Sequence, residues 1–220
     1  MTEIDMEQAR FNMIEQQIRP AEVLDPVVLH TISEVPREMF VPSNYRQLAF
    51  SDTNIPINDT EVMMSPIQEA RMLQALNIQP SDEILEIGTG SGYVTALMAK
   101  IGTHVTSIEI DQQLSSSAAQ KLRDQKITNV SLEVGDGAKG WATHAPYDAI
   151  AVTGSLPILC EDLQMQLREG GRLFVVVGTE PAMSARLITR ISENQWSQEE
   201  LFETVVPPLK NAEKPSEFVF

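Results

Sequence analysis

The stretch Ile84–Tyr93 constrains the fold of this chain more than any other part of the sequence. Its opening, Ile84–Ile87, is a largely apolar run typical of a buried strand, and Gly88, Gly90 and Gly92 follow at alternate positions. Glycine permits backbone conformations and close approaches that a Cβ excludes, so the stretch predicts a strand, a tight turn and the start of a helix. Such a turn lies at the carboxyl end of a parallel strand, where open α/β sheets bind their ligands.

The sequence after residue 82 alternates between strand-like and helix-like segments. Predicted strands cover residues 83–87, 104–109, 130–134, 148–152 and 172–177, and predicted helices lie near 91–101, 112–125 and 157–167. Two closing strands, Ala185–Ile191 and Gln198–Val206, flank a turn at Glu193-Asn194. This alternation predicts an α/β fold with a doubly wound, mostly parallel sheet.

The first 78 residues are predicted to form helices and loops. Helical periodicity begins at Met6 and is expected to end near Ile18 because Pro20 follows. Asp25 is expected to cap a second helix, and Ser65 a third. The polar stretch Asn54–Pro66 is expected to lack regular structure. We therefore divide the chain into an N-terminal helical and acceptor-loop segment (1–78), an α/β domain with its closing strands (79–206) and a tail (207–220).

Residues after the predicted strands favour an adenosine-type ligand. Glu109 ends the second strand, where open α/β sheets present an acidic group to ribose hydroxyls. The dinucleotide motif would place its third glycine at Tyr93, and the loop carries no lysine and has Glu86 nearby, so a pyrophosphate is disfavoured. Asp136 and Gly137 follow the third strand, where a carboxylate can accept from an adenine amine. The alternative is a set of turns whose glycines only satisfy positive φ angles.

Composition narrows the possible partners and location. The net charge is −15, from 31 acidic and 16 basic residues, so nucleic acid and anionic membranes would be repelled. The single Cys160 cannot form an internal disulfide, and His30, His104 and His144 are scattered, so no zinc site is expected and each histidine favours a surface or capping role. The acidic amphipathic start MTEIDMEQAR does not resemble a signal peptide, and we expect a cytoplasmic location.

Several segments together resemble the protein-L-isoaspartate (D-aspartate) O-methyltransferase family. The similar segments are Met13–Pro20, Val35–Pro42, Leu85–Tyr93, Gly135–Gly137 and Gln166–Leu173. The glycine loop alone indicates a class I methyltransferase, and the first two segments make the resemblance specific. The resemblance implies a Rossmann-like fold, S-adenosylmethionine (SAM) as cofactor, and methyl transfer to a carboxylate of damaged aspartyl residues in proteins.

The resemblance also implies the cofactor contacts. By position in the motif, the three glycines would lie along the methionine part of SAM, Glu109 at its ribose, and Asp136 with Gly137 at its adenine. The full set of expected cofactor residues is Glu86, Gly88, Thr89, Gly90, Ser91, Gly92, Glu109, Ile110, Asp136 and Gly137.

The segment expected to hold the methyl acceptor departs from the family pattern. The family has Thr-Ile-Ser-x-Pro, whose hydroxyls contact the substrate, but this chain has Val62 and Met64 at the Thr and Ser positions before Pro66. Each lost hydrogen bond to a charged acceptor costs about 1.5–3 kcal/mol. The hydroxyl-bearing residues proposed as replacements are Thr60, Ser65 and Thr153.

This departure leaves two alternatives to isoaspartyl methylation. A methyltransferase with these residues can act on a different acceptor, a less polar small molecule, because Val62, Met63 and Met64 offer apolar surface. A non-catalytic SAM-binding sensor or interaction protein is the other alternative. The sequence leaves the oligomeric state open.

Overall fold

The computed structural model describes residues 5–215, and a seven-stranded sheet forms the centre of this part of the chain. The strands are β1 (Ile55–Pro56), β2 (Val62–Met63), β3 (Glu83–Ile87), β4 (His104–Glu109), β5 (Val130–Val134), β6 (Tyr147–Leu156), β7 (Leu167–Thr179), β8 (Ala182–Ser192) and β9 (Gln195–Glu203). Their order across the large sheet is β5-β4-β3-β6-β7-β8-β9. Strands β3 to β7 pair in parallel, and β8 and β9 continue the sheet antiparallel. The predicted α/β class with a mostly parallel sheet is confirmed.

Helices flank this sheet. The α-helices are α1 (Met6–Met13), α2 (Pro26–Glu34), α3 (Pro66–Leu76), α4 (Tyr93–Ile101), α5 (Gln112–Asp124) and α6 (Glu161–Met165). The predicted caps are present, since Asp25 accepts hydrogen bonds from the Val27 and Val28 amides and Ser65 is the N-cap residue of α3. In the described part of the chain, none of these helices has the length and apolar character needed to cross a bilayer.

The bounds of several predicted elements differ from the structure. Strands β6, β7 and β8 extend beyond the predicted 148–152, 172–177 and Ala185–Ile191, and β9 begins and ends earlier than the predicted Gln198–Val206. The helix predicted to reach Ile18 is α-helical only as far as Met13. The chain continues in a π-helical turn and a 3₁₀ turn to Ala21, and both Ile14 and Ile18 are buried in the core. The helix predicted at 157–167 covers only Glu161–Met165, because Leu167 already belongs to β7 and pairs with Tyr147.

The stretch Asn54–Pro66 was expected to lack regular structure, and this expectation is wrong in part. Strands β1 and β2 form a short antiparallel pair in which Ile55 lies opposite Met63. Both side chains are buried in the main core, so hydrophobic anchoring holds the loop against the core although its tip, Asn58–Glu61, is polar.

The N-terminal segment shares its core with the sheet. Phe40 stacks in a tilted arrangement against Tyr93 of α4, with ring centroids 5.6 Å apart. The Lys121 ammonium of α5 donates to the Phe40 carbonyl at 2.7 Å. A second apolar cluster, which includes Ile150 and Leu163, covers the opposite face of the sheet. The carboxyl ends of the parallel strands therefore lie between the N-terminal segment and the last strands, and this is where the candidate site forms.

Candidate functional site

A concave site lies at the carboxyl ends of β3, β4, β5 and β6, and we call it the strand-end pocket. Its walls come from the glycine loop, the β4 and β5 ends, the loop around β2 and the segment after β9. The residues that line it include Glu61, Val62, Met63, Met64, Glu69, Gly88, Thr89, Gly90, Ser91, Glu109, Ile110, Asp136, Gly137, Thr153, Gly154, Val206, Pro207, Pro208, Leu209 and Lys210. Pockets at such strand ends are the usual ligand sites of open α/β sheets.

The glycine loop forms one wall of the pocket in a conformation that requires glycine. Gly88 has φ +96°, and a Cβ there would lie 2.4 Å from the Thr153 hydroxyl oxygen. Gly90 has φ +51°, and its amide donates to a Glu109 carboxylate oxygen at 2.8 Å. The loop leads directly into the first turn of α4, which begins at Tyr93.

Glu109 and Asp136 lie on the pocket wall as the sequence predicts. The second oxygen of Glu109 accepts from the Asp111 amide at 3.0 Å, so the whole carboxylate is held by backbone donors. Asp136 accepts from the Ala138 amide at 3.0 Å and from the Asn211 side-chain amide at 2.9 Å. The other predicted cofactor residues on this wall are Gly88, Thr89, Ser91, Ile110 and Gly137.

Two of the predicted cofactor residues, Glu86 and Gly92, do not line the pocket. The Glu86 side chain is fully buried behind the loop and accepts hydrogen bonds from the Thr95 and Ser107 hydroxyls, each at 2.5 Å. Burial raises its pKa to about 8, against the opposing effect of the two hydroxyl donors. Gly92 has φ +84° and packs on Ala118 as the N-cap of α4. Both residues support the loop from behind because they face the core.

The apolar acceptor segment lies on the opposite side of the pocket. Val62, Met63 and Met64 all contribute to its wall, as the alignment with the family motif predicts. Of the three proposed replacement hydroxyls, only that of Thr153 lies on the wall, and it donates to the Gly88 carbonyl at 2.6 Å. Thr153 reaches the pocket because the β6–β7 register shifts between Ala151 and Ser155.

Thr60 and Ser65 lie outside the pocket wall. The Thr60 hydroxyl is exposed at the loop tip, 3.2 Å from a Glu61 carboxylate oxygen. Ser65 is buried as the N-cap residue of α3, where its amide donates to the Gln68 side-chain oxygen at 2.9 Å. These positions argue against direct contact with a methyl acceptor.

A buried ion pair supports the acceptor segment and was not anticipated from the sequence. The Arg37 guanidinium pairs with Glu69 of α3 and donates to the Met64 carbonyl at 2.7 Å and the Ala49 carbonyl at 2.8 Å. Glu69 is fully buried and lies on the pocket wall, and burial raises its pKa to about 8 while Arg37 opposes this rise. The pairing partner is 32 residues away, so no local spacing indicates it.

The segment after β9 is the other part of the site that sequence reasoning missed. Pro207, Pro208, Leu209 and Lys210 complete the wall. The Ser155 amide donates to the Pro207 carbonyl, and the Leu209 amide donates to the Ser155 carbonyl, both at 2.9 Å. Because these bonds follow no periodic pattern of side chains, only the tertiary structure reveals them.

The three histidines lie away from the pocket. His104 is 3.0 Å from the Ser131 hydroxyl, His144 is 2.9 Å from a Glu133 carboxylate oxygen, and His30 faces Glu34 on the surface of α2. Within residues 5–215, these placements agree with the surface and capping roles expected from the sequence.

Comparison with known proteins gives a consistent family. The family model "Protein-L-isoaspartate(D-aspartate) O-methyltransferase (PCMT)" matches residues 8–214. A protein-L-isoaspartate O-methyltransferase of Rhodopseudomonas palustris is 41% identical over 202 residues, which cover 91% of this chain and 93% of that protein. A protein-L-isoaspartate O-methyltransferase 2 of Pelobacter propionicus is 39% identical and covers 95% of this chain and 93% of its own length.

Solved structures have the same fold. A protein-L-isoaspartate O-methyltransferase structure superimposes with a TM-score of 0.80 at 24% identity, over 92% of this chain and 66% of that one. A Plasmodium falciparum structure described as a putative enzyme of this kind, in complex with S-adenosyl-L-homocysteine, gives 0.78 at 21% identity, over 94% of this chain and 99% of that one. With the family model spanning nearly the whole sequence, the chain belongs to the protein-L-isoaspartate (D-aspartate) O-methyltransferase family.

Proposed function

We propose that this protein uses SAM to methylate a free carboxylate of isoaspartyl residues in damaged proteins. The observation that carries the proposal is the strand-end pocket, where the glycine loop, Glu109 and Asp136 lie on one side and the acceptor segment on the other. Membership of the family supports the same activity. We place the activity in the cytoplasm, in keeping with the single cysteine.

The residues of the pocket fit SAM. Gly90 and Ser91 line the pocket, and the Glu109 carboxylate is held where an open α/β sheet presents an acidic group to ribose. Carboxylates dominate this wall, which suits a cofactor whose sulfonium is positively charged. When bound, SAM supplies an electrophilic methyl group, and the acceptor oxygen forms a bond to it as the sulfur–carbon bond breaks.

The chain's own residues have a positioning role in this reaction. A carboxylate is already nucleophilic at neutral pH, so no general base is required. Val62 and Met64 give the acceptor side an apolar surface, and Arg37 fixes the Met64 backbone through its carbonyl. Holding acceptor and donor in line supplies most of the acceleration.

The apolar acceptor segment favours one second candidate. Val62, Met63 and Met64 offer no hydroxyl to a carboxylate, and the Thr153 hydroxyl already donates to backbone carbonyls. A less polar acceptor fits such a wall equally well. The two candidates are distinguished by the acceptor alone, because both use the same cofactor residues.

The test is transfer of radiolabelled methyl from SAM to an isoaspartyl peptide and to its normal aspartyl counterpart, with cofactor binding measured by calorimetry on the same preparation. We expect labelling of the isoaspartyl peptide only. Glu109→Gln should raise the Kd for SAM about ten- to a hundred-fold, since hydrogen bonds to charged groups contribute about 1.5–3 kcal/mol. SAM binding without isoaspartyl labelling would contradict the proposal and favour the less polar acceptor.

A further inference from the structure

The strand-end pocket has an unbalanced set of charges for an enzyme whose acceptor is an anion. Among the described residues that line it, the charged ones are Glu61, Glu69, Glu109, Asp136 and Lys210. Glu69 is paired with Arg37, and the remaining three carboxylates and one ammonium leave a negative field, which opposes the approach of another carboxylate. An anionic acceptor therefore needs a positive partner, and Lys210 is the cation on this wall.

Lys210 is held at the pocket by an interaction that exchanges easily. Its ammonium lies 2.9 Å from a Glu61 carboxylate oxygen, and both side chains are partly exposed, at 45% and 29%. Glu61 raises the pKa of Lys210, with smaller contributions from Asp111 and Glu109, so the lysine is charged at neutral pH. Exposed pairs of this kind contribute about 0–1 kcal/mol, so another carboxylate can replace Glu61 at little cost.

The backbone that carries Lys210 is fixed on β6. Besides its hydrogen bonds to the Pro207 carbonyl and the Leu209 amide, Ser155 donates its hydroxyl to the Val206 carbonyl at 2.7 Å. The Leu209 side chain packs on Gly154, where a Cβ would lie 2.6 Å from it. Lys210 thus extends from an anchored segment toward the acceptor loop, whose Glu61 directly precedes Val62.

We propose that Lys210 binds the acceptor's carboxylate and replaces the acceptor contacts that Val62 and Met64 do not provide. Glu61 pairs with the Lys210 ammonium in the free enzyme, and the acceptor's carboxylate replaces Glu61 when the acceptor binds. One carboxylate replaces another on the same lysine, so the lysine is never left without a partner. The inference rests on the proposed isoaspartyl methylation and assigns its carboxylate-binding residue.

The test compares Lys210→Gln with the wild type in steady-state methylation of an isoaspartyl peptide. We expect KM for the peptide to rise about ten- to a hundred-fold, the effect of losing one hydrogen bond to a charged group, and the Kd for SAM to change less than two-fold. Lys210→Arg should recover most of the loss because it keeps the charge. Glu61→Gln should lower KM, since it removes the competitor for the lysine. Lys139→Gln, an exposed lysine off the pocket wall, makes the same change in net charge and should leave KM unchanged.

A second readout distinguishes carboxylate binding from a structural effect. The same peptide with its free carboxylate converted to an amide is used as a competitive inhibitor, and its Ki should be equal for wild type and Lys210→Gln. If the wild type methylates the isoaspartyl peptide and Lys210→Gln has the same KM, the proposed function stands and the role of Lys210 is overturned. A comparable rise in the Kd for SAM would also overturn it, because the lysine would then serve the cofactor. Absence of wild-type isoaspartyl methylation would overturn the proposed function itself, and the role of Lys210 with it.

Discussion

Two buried glutamates in this protein occupy different surroundings although burial raises both pKa values to about 8. Glu69 pairs with Arg37, whereas Glu86 accepts hydrogen bonds from the Thr95 and Ser107 hydroxyls and has no cation beside it in the described part of the chain, and the Glu109 charge adds slightly to the rise of its pKa. One carboxylate oxygen of Glu86 has no hydrogen-bond partner within residues 5–215. An unpaired buried carboxylate is costly when ionised, so protonation of Glu86 stabilises the fold.

The pH dependence of stability tests this account of Glu86. Its pKa rises from 4.5 in the unfolded chain to about 8 in the folded protein, so the folded state binds more protons between these values and stability falls as pH rises through that window. Glu86→Gln removes the contribution of Glu86 to this pH dependence. We therefore expect the difference in Tm, variant minus wild type, to be larger at pH 8 than at pH 5. Each kcal/mol regained raises Tm by about 2–4 °C.

Thermal unfolding at the two pH values is the measurement, with the exposed Glu7→Gln as the surface control. An equal change in Tm at pH 5 and at pH 8 would contradict the raised pKa of Glu86. Calorimetry with SAM on the same variant decides whether Glu86 supports the loop only. Ten-fold weaker SAM binding by the variant would instead support Glu86 as the cofactor contact that the family resemblance implies.

At the scale of elements, the glycine loop and β6 depend on each other. The Thr153 hydroxyl donates to the carbonyls of Ile87 and Gly88, at 3.0 and 2.6 Å, and so fixes the end of β3 against the irregular part of β6. Gly88 leaves the space that this hydroxyl occupies. The two strand ends therefore form one wall of the pocket.

Gly88→Ala tests this dependence, and Gly170→Ala is its matched control. Both glycines have positive φ, at +96° and +78°, so both variants incur a similar backbone strain of about 1–2 kcal/mol. Only Gly88→Ala also places a methyl group 2.4 Å from the Thr153 hydroxyl, whereas nothing lies within 4 Å at Gly170. We expect Gly88→Ala to lower Tm further and to weaken SAM binding at least ten-fold by calorimetry. Equal Tm and Kd values for the two variants would contradict the close packing of loop and strand.

At the scale of the whole molecule, Arg37 connects three separate parts of the chain. Its guanidinium joins the Ala49 carbonyl of the N-terminal segment, the Met64 carbonyl of the acceptor loop and the Glu69 carboxylate of α3. It also lies over the Tyr93 ring of α4, 4.9 Å from the ring centroid. The segment that resembles the family's N-terminal motif thus positions the acceptor side of the pocket.

Removing Arg37 should destabilise the fold through the charge left behind. Arg37→Met leaves Glu69 buried without its cation, and breaking such a pair typically costs about 3–5 kcal/mol. The double variant Arg37→Met/Glu69→Leu buries no uncompensated charge and should recover at least half of the loss. Urea unfolding at about pH 9, above the pKa of about 8 that burial gives Glu69, measures both. Equal stability of the single and double variants would show that the lost hydrogen bonds to the carbonyls, and not the buried charge, account for the effect.

Local patterns were sufficient for much of this protein. The bounds of β3, β4 and β5 agree with the predicted strands because their apolar runs are short and end at polar or glycine residues. Glu109 and Asp136 were predicted at the pocket because the carboxyl ends of parallel strands meet at one edge. Glu86 lies inside β3, one residue before the end of the strand, and its side chain is fully buried in the core.

The sequence by itself determined the α/β class, the place of Glu109 and Asp136 at the strand ends and the apolar character of the acceptor segment, since each depends on local periodicity or on adjacent residues. Only the tertiary structure decided that Arg37 pairs with Glu69, that Thr60 and Ser65 lie off the wall, and that Lys210 completes the pocket. Such contacts join residues far apart in the chain, so no local spacing encodes them. They form because a buried charge needs its partner, and because Ser155 fixes the final segment through backbone hydrogen bonds.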